Sequence, residues 1–453
     1  MPGTIPHYLL ITVGTTGDVH PFMHMGKTLQ GLGRKVTLIT NSYHAKLVQD
    51  AGLAFVGIGN QEDYRRLIDN PDVWDAKKSF SAFMVNYRAQ IDQIIEAIRS
   101  IAGPAQKIVI AHPFAVPAAA IARESGLVES IVGACLAPSN LRTCNDPLTI
   151  GSASVPRWVP MSWRGAFWRY VDKTLVDPYS VGQINAAREP HGLPKVASLL
   201  THIAEAPDLW ATLFPAWFAP RMPDWPQALV YGDFPLFDGA QDEAFSRELS
   251  AFLAAGEKPL VFTPGTKNFH AADFFSHALA AVNRLGRRAI FLTGERTQVP
   301  AHLPESVLWQ PYVALGALLP HAAMLVHHGG IGTTAEALRS GIPQLITPFA
   351  WDQFDNGARV ALLGAGMVMP AKGLRFRKLA SRLDEILGSD LIRARCLRLA
   401  ARFEPSPDPS ILFHEIERLA VGRRGEARVV SPRNCQPFDG YERESATRMP
   451  PMA

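Results

Sequence analysis

Twice along this chain of 453 residues, short apolar runs end in turns and alternate with helix-forming stretches. In the first series, Tyr8 to Val13 runs into GTTGD from Gly14, then PFMHMGKTLQGLG, then KVTLIT ending at Thr40; KIVIAH (Lys107 to His112) and SIVGACL renew the pattern. The second series begins at Pro259 and contains PLVFT, RAIFLTG, SVLWQ, AMLVHH and PQLITP. Runs this short suit strands buried on both faces. Strands alternating with helices bury both faces in a parallel sheet covered on each side. The pattern predicts an α/β chain with two doubly wound, Rossmann-like domains facing across a cleft.

The length exceeds what one hydrophobic core usually organises. We place the first domain, expected to take the acceptor, over 1–235, a linker and hinge over 236–255, and the second domain over 256–422. The polar, proline-bearing remainder, 423–453, is expected to be a disordered tail. Between Pro138 and Pro235 the alternation loosens, and Trp158, Trp163, Trp168, Trp210, Trp217 and Trp225 crowd in. Such rings suit the packing of an irregular excursion and an apolar ligand cleft equally well.

Composition excludes several classes. A net charge of +4, mixed along the chain, gives no basic face for nucleic acid. Cys135, Cys144, Cys396 and Cys435 form no CxxC pair and have no histidine at zinc spacing, which argues against a disulfide framework or structural metal. The N-terminus lacks the basic start and long apolar stretch of a signal peptide, and no uncharged run is long enough to span a membrane. A cytoplasmic location is the expectation.

The chemistry concentrates in LVHHGGIGTTAEALRSGIPQ, from Leu325. A buried strand leads into a helix, and the turn between them lies where open α/β sheets bind ligands. Amides of Gly332, Thr333 and Thr334 are expected to point out of the helix start towards an anion. Gly329, Gly330 and Gly332 let backbone approach a phosphate, and His327 or His328 adds an imidazole donor. At the next strand end, PFAWDQFDN supplies Asp352, Gln353, Asp355 and Asn356, whose side chains can bind sugar hydroxyls beside a diphosphate. Asp352 is also a candidate helix cap.

These residues carry a resemblance. WQPYVALGALLPHAAMLVHHGGIGTTAEALRSGIPQLITPFAWDQFDN resembles the donor-binding signature of the inverting family 1 glycosyltransferases, and TVGTTGDVHPFMHMGKTLQGLGRKVTLIT resembles their first strand, turn and helix. By that resemblance His328 contacts the diphosphate, with His327 as the alternative. Asp352 and Gln353 contact the sugar, Trp309, Tyr312 and Val313 line the base pocket, and Glu336 falls at a ribose-binding position. The loop with Gly265 and Thr266 faces the diphosphate. Asp18 is the first candidate for the base that takes the acceptor proton and His20 the second; turn capping before Pro21 is the structural alternative for both.

DYRRLIDNPDVWDAKKSF, LFPAWFAP, DWPQ, FPLFDG, LGALLP and DQFDN resemble, in particular, the rhamnosyltransferase B chains of rhamnolipid biosynthesis. That likeness implies dTDP-L-rhamnose as donor, a lipid-like 3-(3-hydroxyalkanoyloxy)alkanoate as acceptor, and a monorhamnolipid as product. It further implies single displacement with inversion, no metal or other cofactor, and room for peripheral contact with the inner membrane. The principal alternative is transfer of glucose from a UDP-sugar to a sterol or polyketide hydroxyl. A GT-B nucleotide-sugar epimerase is the rival from another class. A nucleotide-linked oxidoreductase is disfavoured, because GxGxxG is absent and no acid ends the second strand.

Overall fold

The structure, a computed structural model, describes residues 6–422 apart from 76, 104–105, 146–148, 151–152, 157, 237–244, 266–271 and 404–407, and without the side chains of 149–150, 153–154 and 419–422. The expected tail at 423–453 and the candidate Thr266 therefore lie outside the described residues.

The first sheet contains β1 (His7–Ile11), β2 (Lys35–Asn41), β3 (Ala54–Ile58), β4 (Lys107–Ala111), β5 (Ser130–Cys135), β6 (Leu209–Thr212) and β7 (Leu229–Tyr231). All pairings are parallel, in the order β3-β2-β1-β4-β5-β6-β7. The second contains β8 (Leu260–Thr263), β9 (Ala289–Leu292), β10 (Val307–Gln310), β11 (Met324–His327), β12 (Gln344–Ile346) and β13 (Gly366–Val368). It too is parallel throughout, in the order β10-β9-β8-β11-β12-β13. Both sheets show the doubly wound arrangement, in which the chain starts mid-sheet, winds to one edge and returns to build the other half.

Burial on both faces explains the apolar runs. In β1, Leu9 and Ile11 join a core with Ile91, Ile94 and Ala119, whereas Tyr8 and Leu10 join the opposite core with Val19, Phe22 and Met23. In the second sheet Phe262, Phe291 and Val326 pack against Phe274, Phe275 and Leu383, while Val261, Ile290 and Leu325 pack against Leu318 and Ala337. Alternate residues along each strand thus serve opposite helix layers.

Two segments differ from their expected placement. The helix Arg247–Ala254, assigned to the linker, packs Leu249 against Val261 and Leu292 and belongs to the second lobe. The helix Ser410–Gly422, assigned to the second domain, packs on the first. Phe413 and Ile416 enter the core beneath Tyr8 and Leu10, and the Glu417 carboxylate accepts from the Tyr8 hydroxyl at 2.9 Å and from Arg34 Nε and Nη2 at 2.7 and 2.9 Å. An amphipathic pattern shows that a helix has a buried face but not which core receives it.

The tryptophan-rich excursion is chiefly packing. Trp168, Trp210 and Trp225 are buried, and their indole N–H groups donate to the carbonyls of Thr143, Ala204 and Leu141. Trp217 packs on Phe218, Phe234 and Phe403. Trp158 and Trp163 stand 82% and 70% exposed.

The Glu417 contacts make a local prediction. Glu417→Ala removes charge-assisted bonds at a part-buried site and should lower stability by about 1 kcal/mol. Thermal unfolding checks this, and a double-mutant cycle with Arg34→Ala should show non-additivity.

Candidate active site

Strand order reverses between β1 and β4 in the first sheet and between β8 and β11 in the second. The chain leaving one strand turns away from the chain leaving the other, opening a crevice at the carboxyl ends. The turn after β1 carries Asp18 and the turn after β4 carries His112. Those after β8 and β11 carry Gly265 and His328. The four positions belong to two equivalent crevices.

Asp18 is the third residue of the helix Thr16–Gly31. Its Oδ2 accepts from Thr15 N at 2.7 Å and Thr15 Oγ1 at 3.1 Å, completing a capping box. The capping alternative is therefore real, but it occupies one oxygen. The other, Oδ1, lies 4.0 Å from His112 Nε2, and about a third (33%) of the Asp18 side chain stays accessible. Burial of the remainder pushes the carboxyl up to about 6, against the opposing pull of the Thr15 bonds. His112 Nδ1 accepts from Phe114 N at 3.2 Å, which leaves Nε2 carrying the proton towards Asp18, and burial lowers this imidazole to about 3. It is a neutral imidazole at the side of the carboxylate, too far away for a direct hydrogen bond.

His20 sits two residues further along the same helix, a spacing at which side chains do not share a face. Burial lowers its pKa. Asp18 is the candidate that lies against His112, at 4.0 Å.

The two histidines of the second lobe have different surroundings. His327 ends β11 with no exposed surface; Nε2 lies 2.9 Å from Gln344 Oε1 and Nδ1 accepts from Gly329 N at 3.2 Å. Both ring nitrogens are committed inside the protein, which removes His327 from the donor-binding set. His328 is the one that reaches the crevice. Its Nδ1 has no hydrogen-bond partner among the described residues, and burial lowers the ring to about 4. Glycines leave it space on two sides. A Cβ on Gly330 would stand 2.6 Å from His328 Nε2, and one on Gly265 3.0 Å from its Cε1. Gly329, at φ +96°, passes so close to β12 that a Cβ there would meet Ile346 at 2.7 Å.

The following helix is Ile331–Arg339, with Gly330 as N-cap. Thr334 N donates to Gly330 O at 2.9 Å and its side chain is fully buried, so Thr334 leaves the expected anion site. The amides preceding the helical ladder are those of Ile331, Gly332 and Thr333. Ile331 takes the place that Thr334 was expected to fill, because the helix starts one residue before Gly332. Glu336 is paired with Arg339 at 2.7 Å.

Asp352 stands at the N-cap of the helix Gln353–Leu363 without making a side-chain cap bond, contrary to the capping expectation. Its Oδ2 instead accepts from Asn356 Nδ2 at 2.8 Å, and the same nitrogen donates to Gly329 O at 2.9 Å. Asn356 thereby ties the glycine turn to the carboxylate. Burial pushes Asp352 up to about 7, with the negative charge of Asp18 adding to the rise. Gln353 Oε1 accepts from the amides of Phe349 and Ala350, fixing the loop. Asp355 forms a buried pair with Arg359 at 2.9 Å and is structural.

In the expected base pocket, Trp309 donates its indole N–H to Thr293 O and lies beneath Arg296, Val313 is partly buried against the second core, and Tyr312 is 67% exposed.

Several residues at the cleft were not anticipated. Trp351, adjacent to Asp352, adopts φ +58°, a left-handed conformation uncommon for a bulky side chain. Its indole N–H crosses to Val73 O at 3.1 Å in the first lobe, and its ring meets Phe83 edge-on at 5.5 Å. Phe83 contacts Phe114 at 5.3 Å, and Phe114 lies 5.7 Å from the His112 ring. A run of rings thus borders the Asp18–His112 pair. Only the HP sequence at a strand end hinted at His112; the phenylalanines gave no periodic signal.

Each half is similar to known proteins. A Glycosyltransferase family 28 N-terminal domain model matches residues 8–121, and an Erythromycin biosynthesis protein CIII-like C-terminal domain model matches 277–419. An aklavinone 7-beta-L-rhodosaminyltransferase of Streptomyces galilaeus is 34% identical over 166 residues, covering 36% of this chain and 38% of that protein. A sterol 3-beta-glucosyltransferase of Debaryomyces hansenii is 28% identical over 89% of this chain, which spans only 26% of that longer protein. An O-mycaminosyltylonolide 6-deoxyallosyltransferase of Streptomyces fradiae is 27% identical over 86% of this chain and 92% of its own length. Among solved structures, the glycotransferase of kitacinnamycin superposes with a TM-score of 0.70 at 19% identity, covering 92% of this chain and 99% of that one. Spinosyn rhamnosyltransferase SpnG complexed with thymidine diphosphate gives 0.63 at 20% identity, covering 91% and 100%. The fold is GT-B.

Glycine substitutions separate a ligand effect from a packing effect. Gly330→Ala should displace the His328 ring and weaken nucleotide binding by roughly tenfold or more. Among the described residues, no atom beyond its own helix backbone and chain neighbours comes within 4 Å of a Cβ built on Gly332. Gly332→Ala should leave thermal stability unchanged, so any loss of affinity on calorimetry reports contact with the ligand.

Proposed function

We propose that this chain, a glycosyltransferase of the GT-B class in both of its halves, moves L-rhamnose from dTDP-L-rhamnose to the hydroxyl of a lipid-like 3-(3-hydroxyalkanoyloxy)alkanoate. The observation that carries the reading is the position of Asp18: a carboxylate of raised pKa, open to the cleft, bordered by rings on its own lobe and facing Asp352 on the other. An apolar acceptor lies along Phe83, Phe114 and Trp351 with its hydroxyl at Asp18. The diphosphate rests on the amides of Ile331, Gly332 and Thr333 beside His328, and Asp352 and Gln353 hold the sugar.

The acceptor oxygen attacks the anomeric carbon as Asp18 takes its proton. The bond from that carbon to the diphosphate breaks, and dTDP leaves with the electron pair. Configuration inverts in one displacement. No metal enters this reaction; the helix start and His328 stabilise the charge on the leaving group. The specific donor and acceptor come from the likeness of DYRRLIDNPDVWDAKKSF, LFPAWFAP and DQFDN to rhamnolipid rhamnosyltransferases. Support for a thymidine nucleotide comes from SpnG, solved with thymidine diphosphate in the same fold.

A second reading, glucosyl transfer to a sterol, is favoured by the 28% identity to the Debaryomyces enzyme over 89% of this chain. The two part in a panel of activated sugars offered with a hydroxyacyl-hydroxyacid and with a sterol, followed by mass spectrometry. Gain of one deoxyhexose on the hydroxyacid supports rhamnosyl transfer; hexose on the sterol overturns it. A chelator should leave turnover unchanged.

Because a general base must be ionised, kcat/KM should rise with pH through about 6 and level above it. Asp18→Asn should cut turnover by roughly 10²–10⁴-fold and abolish that limb, while nucleotide affinity measured by calorimetry stays near wild type.

A further inference from the structure

Away from the cleft, the first lobe carries a crest of large apolar side chains. Trp163, Phe167 and Tyr170 follow one another at i, i+4 and i+7 on the helix Met161–Val171, exposed by 70%, 37% and 64%. Trp158 precedes them, and Leu175 and Tyr179 extend the crest into the next helical segment. The same helix has a separate core-facing seam, in which Arg164, Trp168 and Val171 are buried. Its packing is complete without the crest.

The exposed charge along this segment is one-sided. Arg169 and Lys173 are exposed beside the rings. The two acids between 158 and 179 are withdrawn: Asp172 is held by Arg142 at 2.7 Å, and Asp177 accepts from Leu199 N. Neither is exposed.

We propose that this crest docks the protein on an anionic lipid bilayer. Indole and phenol rings favour the boundary between acyl chains and headgroups, and flanking cations meet the anionic surface. A second copy of the chain would bring Arg169 and Lys173 against the same cations, which disfavours self-association through this face. The crest also leads inward. Tyr179 shares a shallow groove with Met84 and Val85, and the preceding helix, Ser79–Phe83, carries Phe80 and Phe83, which contact Phe114 beside His112. An acyl acceptor in the bilayer reaches Asp18 along these rings; that route rests on the acceptor reading above, whereas docking does not.

The test is co-sedimentation of the full chain with phosphatidylcholine vesicles with and without phosphatidylglycerol. Wild type should sediment with the anionic vesicles and be released by salt. Trp158→Ser/Trp163→Ser/Tyr170→Ser should lower partitioning by at least roughly tenfold, and Arg169→Glu/Lys173→Glu should remove the salt-sensitive part. Thermal unfolding and turnover of a soluble short-chain acceptor by these variants should match wild type. That separates failure of docking from failure of the acceptor reading. Wild type remaining in the supernatant with anionic vesicles overturns the proposal, as does a triple variant that sediments equally. Loss of a wild-type dimer in the variant, without vesicle binding by wild type, assigns the face to self-contact and overturns it too.

Discussion

A parallel sheet that begins mid-sheet must reverse its winding once, and at that reversal no connection covers the strand ends. In this protein the constraint acts twice, and the two uncovered edges face each other. Asp18 and His112 flank one reversal, Gly265 and His328 the other. Residues distant in sequence become neighbours without any loop having to reach for its partner. The register keeps the edges level: Ile11 pairs with Ala111 and Thr263 with His327. The groups lining both crevices are borne by segments that directly follow paired central strands, a setting in which positioning can contribute to catalysis.

Two contacts then set the spacing between subsites. Asn356 donates from one amide nitrogen to Gly329 O and Asp352 Oδ2, fixing the glycine turn relative to the carboxylate, the two groups proposed to hold the diphosphate and the sugar. Trp351 extends the same loop across the cleft to Val73 and Phe83. Its left-handed backbone stores strain of order 1–3 kcal/mol, which persists because contacts on both lobes hold the ring. The sugar loop, the glycine turn and the acceptor wall are therefore mechanically one unit.

How much of this was legible in the sequence follows from which forces act locally. Strands, helices and the two doubly wound units could be read from apolar periodicity, because burial on both faces writes itself into consecutive residues. The glycine turn and Asp352 could be read from residue type and place. Partner choice was not legible. HH is symmetrical as a motif, and only the strand pleat decides that His327 points inward to Gln344 while His328 points out. Thr334 fell from the site because helix starts are uncertain by a residue or two from sequence. Phe83 meets Phe114, and through it His112, by tertiary packing alone, and the helix Ser410–Gly422 crosses to the first lobe on contacts separated by hundreds of residues. The tryptophans misled for the opposite reason: large rings are conspicuous in a sequence wherever they pack.

The electrostatics of the cleft link the two lobes a second time. Burial raises Asp18 to about 6 and Asp352 to about 7, and repulsion between the two carboxylates is mutual whichever of them carries the larger rise. Near neutrality the pair holds less than two full charges. On the proposed reading Asp352 then keeps part of a proton to donate to a sugar hydroxyl, while Asp18, the lower of the two, is the acceptor. A base near 6 binds a proton far more tightly than an exposed aspartate and is still ionised at neutral pH, the compromise that general base catalysis requires. The neutral His112 beside it supplies no full positive charge that would drive the carboxyl back down. Had the carboxylate faced an arginine instead, its pKa would fall and with it the basicity that proton abstraction needs.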